Sequence, residues 1–494
     1  MIGLHRRINP CSGEMLVNML KRVLAICSLP LVSAASVYDY RAELASVTIN
    51  NGPVWYDTTG GTIQAHGGSV IKVDSTYYWI GEDKLHDSAT FRNVVCYSSP
   101  DLKNWKWVGY PLKPSSHAEL ASSKIERPKV IYNQTTGKYV MWMHYENATD
   151  YSLGRVAVAS SNSVCGSYTY HGSFRPLGYE SRDMTVFKDE DGSAYLLSAS
   201  NSGTGTNGSL ASFKLTNDYL NVSTFIGWVA ENGHREAPAI AKQGGRYFLI
   251  TSGASGWYPN QARYMTATSM NGPWSAAQNL GNSSTFYSQS NFILPVQGTS
   301  ATTYIYMGNR WNPSRLGDSR YIWLPLTLNG SNGTASLEWR SQWNIDAVTG
   351  AVSYPNLVNH ALGRTATASS SASGFAASRV NDGNYQAEWK ASGVTWPSWW
   401  QVDLGATRNI QEVDISWFLY NGSEAYHQYR IEHSTNGTTW TTIDRTTNKT
   451  YGFTTDAVNF SARYVRIVLV NAVLWNNPNN WYTPTLYEVQ LLGG

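Results

Sequence analysis

Five times between residues 60 and 330 the chain repeats one pattern of polar and apolar positions. A charged or amide head opens each repeat, a short apolar run follows, a turn rich in Gly, Asp or Asn comes next, and an aromatic strand answers. The heads are Gln64-Ala65-His66-Gly67-Gly68, Glu126-Arg127-Pro128-Lys129-Val130, Ser181-Arg182-Asp183-Met184, Arg235-Glu236-Ala237-Pro238 and Ser288-Gln289-Ser290-Asn291. The aromatic strands begin at Tyr77, Tyr139, Tyr195, Tyr247 and Tyr304, a spacing of 52 to 62 residues. The clearest copy runs from Arg235 through the Gly244-Gly245 turn to Gly253 and reads as an antiparallel hairpin. No helical period is visible. A strand-rich repeat of this length predicts an all-β protein built on a five-bladed β-propeller.

From Asn359 onward the repeat stops and Ser and Thr become frequent, as in Thr365-Ala366-Thr367-Ala368-Ser369-Ser370-Ser371. Short alternating runs, such as Trp399-Trp400-Gln401-Val402-Asp403-Leu404 and Arg463-Tyr464-Val465-Arg466-Ile467, predict a second all-β unit, a β-sandwich. The expected organisation is a leader over residues 1–34, a propeller over 35–345, a junction over 346–358 and a sandwich over 359–494.

Each blade of a propeller lays its first strand along the central axis, so residues at equal phase converge at one end of it. Here these are Gln64 or His66, Glu126, Asp183, Glu236 and Gln289. Cleaving a glycosidic bond takes one carboxylic acid to protonate the departing oxygen and a group opposite to activate water or attack carbon. Burial and a neighbouring carboxylate keep such an acid protonated. Glu236 is the candidate acid, Asp183 its neighbour and tuner, and Glu126 stands across the funnel. Arg127, Arg182 and Arg235 each adjoin a head carboxylate. Because neighbouring strand residues face opposite ways, these arginines are expected to pack between blades. No His/Cys cluster has metal-ligand spacing, and His66, His144 and His234 are scattered.

Composition narrows the partners. Charged residues make up 14% and aromatics 13%, with 20 Trp and 32 Tyr, a surface suited to stacking on the apolar faces of sugars. Lys21-Arg22, the apolar run Val23–Val32 and the small residues Val32-Ser33-Ala34 read as a secretory signal too short to span a bilayer. Without residues 1–34 the chain carries 33 residues of each charge, which offers nothing to nucleic acid or an acidic membrane surface. Eleven Asn-x-Ser/Thr sequons, among them Asn133, Asn147, Asn207, Asn282 and Asn448, agree with a secreted glycoprotein. Cys96 and Cys165 are the two cysteines beyond the leader, either paired or buried as thiols.

With these motifs in order, the chain over residues 55–345 resembles glycoside hydrolase family 43, and within it the exo-β-1,3-galactanases (galactan 1,3-β-galactosidases). The carrying residues are the five heads together with Tyr78-Trp79-Ile80-Gly81-Glu82, Ser255-Gly256-Trp257-Tyr258-Pro259-Asn260 and Tyr306-Met307-Gly308-Asn309-Arg310-Trp311. The resemblance implies that Glu236 is the general acid and that Asp183 tunes and orients it. The aspartate base usual in the first blade is replaced here by Gln64 and His66. The resemblance instead gives Gln289 the attacking water, made basic through an imidic-acid tautomer, and Glu126 the transition state, with Glu126 as direct base left open. It assigns Glu82, His66, Gln64, Ser255, Trp257 and Asn260 to substrate binding, with Ser255 where threonine is expected.

Residues 359–494 resemble the coagulation factor 5/8 type C, or discoidin, domain and the galactose-binding modules of carbohydrate-binding module family 32. Val380-Asn381-Asp382-Gly383-Asn384, Glu388-Trp389, Trp399–Gly405 and Tyr487-Glu488-Val489 carry that likeness. It implies a structural Ca²⁺ on Asp382 and Glu488, with Trp396, Trp475 and Trp481 as loop candidates for sugar. No cofactor is expected for catalysis. The expected protein is a secreted, monomeric hydrolase acting with inversion on β-1,3-galactan in arabinogalactan. An arabinofuranosidase or xylosidase of the same family and a catalytically silent galactan-binding lectin are the alternatives. A copper oxidase is disfavoured, because no Tyr/His/Cys ligand set assembles.

Overall fold

The structure is a computed structural model that describes residues 46–494 other than 202–204, 206, 314–315, 386, 419–424, 448–451 and 475–476. The leader expected over residues 1–34 lies outside the described residues.

The fold is all-β, a β-propeller followed by a β-sandwich. Five four-stranded antiparallel sheets follow one another, each made of four consecutive strands. Their innermost strands are His66–Val73, Ser123–Asn133, Met184–Lys188, Arg235–Gln243 and Gln289–Gln297, each carrying or directly following a sequence head. The middles of all five line one cavity of about 400 Å³, so the strands do converge on a shared axis.

One part of the architecture departs from expectation. The propeller region holds a sixth sheet, three-stranded, in which Gln342–Asp346 pairs with Ser46–Asn50 and with Val352–Ser353. Ser46–Asn50 and nearly all of Gln342–Asp346 fall inside the span expected for the propeller, and Val352–Ser353 inside the expected junction. Their alternation (Val47 and Ile49 against Trp343 and Ile345) is real but too short to register as a repeat. Ile49, Trp343 and Ile345 face a core shared with Trp79, Trp105, Leu294 and Trp323, where the first and fifth four-stranded sheets meet. Asn51 ties this seam: its amide donates to the Trp323 carbonyl at 2.9 Å and accepts from the Trp323 N–H at 2.6 Å. Cys96 and Cys165, left open by the sequence, form a disulfide between the first and second four-stranded sheets.

The sandwich is one network of nine strands built on two long ones, Ser398–Trp417 and Phe453–Leu474. Ser398–Trp417 bends through register shifts between Asp403 and Arg408 and between Ile410 and Glu412. Its first half pairs with Thr365–Ala368 and its second with Thr485–Gly493, and both contribute to one core with Trp389 and Ile467. Propeller and sandwich dock through Phe286, Trp339 and Phe453, with Trp339 and Phe453 ring centroids 4.6 Å apart. The Asn282 amide donates to Ser416 Oγ at 2.9 Å beside them.

Candidate active site

A local backbone device brings the heads to the mouth of the axis. In the first, second, fourth and fifth inner strands the ladder slips by a β-bulge next to the head, between His66 and Ser69, Glu126 and Lys129, Glu236 and Ala239, and Ser290 and Phe292. Three of these bulges place a residue at positive φ: Gly67 at 60°, Arg127 at 54° and Ala237 at 53°. A bulge suspends strand alternation and re-aims the side chains beside it. At Gly67 a Cβ would lie 2.2 Å from Glu82 Oε1 and would push that carboxylate from its place. The expectation for the arginines fails at two of three positions, at Arg127 because of its bulge and at Arg182 because it precedes the strand Met184–Lys188, where no alternation applies. Arg127 and Arg182 line the cavity beside their head carboxylates. Arg235 is the one that packs inward, donating to Thr251 Oγ1 at 3.0 Å.

The cavity has a volume of about 310 Å³, and Glu82, Glu126, Asp183, Glu236, Trp257 and Gln289 all line it. Glu236, 7% exposed, accepts from Gln289 Nε2 at 3.1 Å and from Asn207 Nδ2 at 3.1 Å. Burial first, and then the charge of Asp183, raise its carboxyl to about 8 against the pull of Arg127 and the Ser255 N–H. Its polar partners among the described residues are donors, which leaves its own proton for the cavity. Glu126 is the opposite case. Burial alone would raise it, but His144, Lys84 and the Tyr151 hydroxyl more than offset that and hold it at about 2.

His144 sits between two carboxylates, Nδ1 at 3.1 Å from Glu126 Oε2 and Nε2 at 3.1 Å from Glu146 Oε1. Burial would lower its imidazolium, yet these two acids hold it up at about 9. Glu146 also accepts from the Leu153 and Gly154 N–H groups at 2.7 and 2.9 Å and from Arg182 at 3.0 Å. Glu126, His144 and Asp183 bring donor atoms within 4.8 Å of one another. With both His144 nitrogens donating to carboxylates, the imidazole is an ion-pair partner and has no lone pair for a metal.

Arg127 is the hub. Its Nε lies 2.7 Å from Asp183 Oδ1, its NH2 donates to Gln289 Oε1 at 2.7 Å, and its backbone N–H donates to Glu82 Oε1 at 2.8 Å. Lys84 pairs with the other Glu82 oxygen at 2.7 Å.

Four of the expected binding residues stand behind the wall. His66 is fully buried, stacked on Tyr321 with ring centroids 5.0 Å apart, and the Gln64 amide donates to the Gly317 carbonyl at 2.9 Å. Neither lines the cavity. Ser255 Oγ accepts from Asn260 Nδ2 at 2.5 Å and donates to the Tyr258 carbonyl at 2.7 Å. Those bonds shape the loop that presents Trp257, whose ring meets Trp311 edge-on with centroids 5.1 Å apart. Sequence reading missed His144, Tyr151, Asn207 and Trp311 as cavity residues. Tyr151 and Asn207 come from connections between strands, where no repeat phase marks them. His144 was two positions from Glu146 in a strand, a visible pairing that went unread.

In the sandwich, Glu488 is 1% exposed, accepts from the Gly383 N–H at 3.2 Å and lies beside Asp382. Trp396 packs against the sandwich core; the side chain of Trp481 and all of Trp475 lie outside the described residues.

A propeller with a buried, protonated glutamic acid facing an ionised one in a single pocket has the makings of an O-glycosidase. The family model of glycosyl hydrolases family 43 matches residues 63–298, and that of the F5/8 type C domain matches residues 365–484. An exo-β-1,3-galactanase from Phanerochaete chrysosporium, solved with β-1,3-galactotriose, is 33% identical with a TM-score of 0.66, over 90% of this chain and 100% of that one. An exo-β-1,3-galactanase from Clostridium thermocellum is 33% identical with a TM-score of 0.62, over 86% and 100%. A family 43 β-1,3-galactosidase with galactodeoxynojirimycin is 36% identical with a TM-score of 0.56, over 60% and 99%. Among curated proteins there is no match. The chain belongs to glycoside hydrolase family 43 and is a glycosidase.

Proposed function

We propose that this protein is a secreted hydrolase that releases galactose from the ends of β-1,3-galactan with inversion. The observation that carries this reading is the pairing of Glu236, protonated to about pH 8, with Glu126, ionised above about pH 2, in one cavity. Glu236 protonates the departing oxygen, and Asp183 tunes it. Glu126 and Gln289 serve the water and the positive charge growing on the anomeric carbon. Glu82 and Trp257 hold the terminal sugar, the first by hydrogen bonds and the second by stacking. The galactan specificity is supported by the relatives named above, which are galactanases and a galactosidase. Secretion is supported by the Cys96–Cys165 disulfide, since such bonds persist in oxidising compartments.

The sandwich holds the protein on the same polymer and raises the local substrate concentration. Asp382 and Glu488 fit a structural calcium ion: Glu488 Oε2 is buried without a hydrogen-bond partner. Burial, with Asp382 next to it, raises this carboxyl to about 9, and a cation would replace the proton it otherwise keeps. Calcium should then raise the melting temperature, and Glu488→Gln should remove that rise.

The test of the main reading is incubation with β-1,3-galactan, arabinan and xylan, following the released monosaccharide and its first-formed anomer by NMR. α-Galactose from galactan alone is expected. Release of arabinose or xylose moves the substrate, and β-galactose as the first product overturns inversion. Binding of galactan without release from any polymer leaves a lectin.

A further inference from the structure

Behind the carboxylates lies a buried lysine that takes no part in the chemistry above. Lys129 is 1% exposed. Lys84, Arg127 and Arg182 each pair with a carboxylate, whereas Lys129 pairs with none among the described residues. Burial, and then the charge of Arg127, push its ammonium well below the ordinary lysine range. Its amine donates instead to two main-chain carbonyls, that of Gly67 at 2.5 Å and that of Arg127 at 3.4 Å.

Those two carbonyls belong to the left-handed residues of the first and second bulges, and the third such residue is held in the same way. Ser290, fully buried, donates from Oγ to the Ala237 carbonyl at 2.7 Å. The strand register skips Gly67, Arg127 and Ala237. A buried carbonyl without a ladder partner needs another donor, and here each finds one in a side chain of the second or fifth head. The N–H groups are tied as well. That of Gly67 donates to Asn309 Oδ1 at 3.0 Å, and Asn291 bridges Asn309 to Arg127, whose NH1 it accepts at 3.2 Å. A hydrogen-bonded circuit therefore runs from Lys129 through Gly67, Asn309, Asn291 and Arg127 back to Lys129. It joins the first, second and fifth four-stranded sheets. Arg127 reaches from it to Asp183 and Gln289, Glu82 rests on the Arg127 N–H, and Glu236 directly precedes Ala237.

We propose that Lys129 is a positioning residue of this glycosidase: its amine fixes the bulges that aim Glu82 and Arg127, as the Ser290 hydroxyl fixes the bulge beside Glu236. This rests on the roles given to those groups above. Neither residue makes or breaks a bond to substrate.

Lys129→Met keeps the stem and removes the donors. In protein shown to be folded by near-ultraviolet circular dichroism, kcat/KM for β-1,3-galactobiose should fall about a hundredfold, the cost of moving reacting groups by about 1 Å. A role in stability alone would lower the melting temperature and leave kcat/KM within about threefold, which overturns the proposal. Ser290→Ala is the milder change and serves if Lys129→Met does not fold. It should lower kcat about tenfold with KM within about threefold, and an unchanged kcat rejects the bulge as the aiming device. Lys129→Ala vacates space at the axial cavity of about 400 Å³ that the lysine lines. There n-propylamine should restore turnover about tenfold, and no rescue in folded protein would assign the loss to repacking rather than to the amine. One readout needs no substrate and so stands even if galactan proves to be the wrong polymer. The Arg127 Nε–H signal in ¹⁵N spectra, identified by its loss in Arg127→Lys, should shift in Lys129→Met. An unmoved signal would mean that the circuit does not reach the site.

Discussion

Replacing Asp183 by asparagine tests the central electrostatic claim most directly. Glu236 is held at about 8 against an ordinary 4.5, a difference of about 5 kcal/mol at roughly 1.4 kcal/mol per pH unit. Burial is the larger cause and Asp183 the second, so removing the Asp183 charge should return less than half of it, about 2 kcal/mol. The released Arg127, whose Nε is now 2.7 Å from Asp183, acts in the same direction by presenting an unpaired cation. The basic limb of kcat/KM should therefore move from about 8 to about 6.5. The protonated fraction of the acid then falls about eightfold at pH 7.5 and hardly at all at pH 5.5. The assay is kcat/KM for β-1,3-galactobiose from pH 4 to 9. The substitution costs rate at every pH if the Asp183 side chain also touches sugar, so the informative quantity is where the limb falls. A basic limb within about 0.3 of the wild-type position would refute the assignment of Asp183 as tuner.

Glu236→Gln should cut release about a thousandfold while calorimetric affinity for β-1,3-galactobiose stays within a few-fold. His144→Gln leaves Glu126 and Glu146 buried without their shared cation and should destabilise the fold by about 3–5 kcal/mol, read by urea unfolding. The sign with pH is set by the imidazolium being held up at about 9. Its contribution is full below about 6.5 and lost as pH rises through about 9, so the gap between wild type and variant should narrow over that window. Reducing Cys96–Cys165, which are 69 residues apart, should cost about 4 kcal/mol, seen as a lower melting temperature in reductant and in Cys96→Ala/Cys165→Ala.

The sequence carried the repeat because polar heads and aromatic strands recur at matching phase, and the phase alone delivered Glu126, Asp183, Glu236 and Gln289 to one cavity. Phase is also what misled. It placed Gln64 and His66 with the other heads, yet in the first four-stranded sheet it is Glu82, from the second strand, that reaches the cavity. Arg127 was misplaced because alternation was assumed unbroken, whereas the bulge after Glu126 turns it toward the same mouth; Arg182 was misplaced because it precedes its strand. Tyr151 and Asn207 were illegible because strand connections carry no period. The sixth sheet was missed for a different reason: Ser46–Asn50 pairs with Gln342–Asp346, a segment too distant for any local pattern to link to it.

That distance shapes how the molecule is made. Thr48 donates to Asn344 at 2.7 Å across 296 residues, so Ser46–Asn50 waits for nearly the whole propeller before its partner leaves the ribosome. Until then Ser46–Asn50 is an exposed ribbon with open hydrogen-bonding groups, the kind of surface that pairs with the wrong neighbour. A fragment stopped ahead of Gln342 would possess every carboxylate of the pocket and still lack the clasp. Such truncations should emerge as aggregating chains, and attempts to trim this enzyme to its catalytic half have to keep both ends of that small sheet.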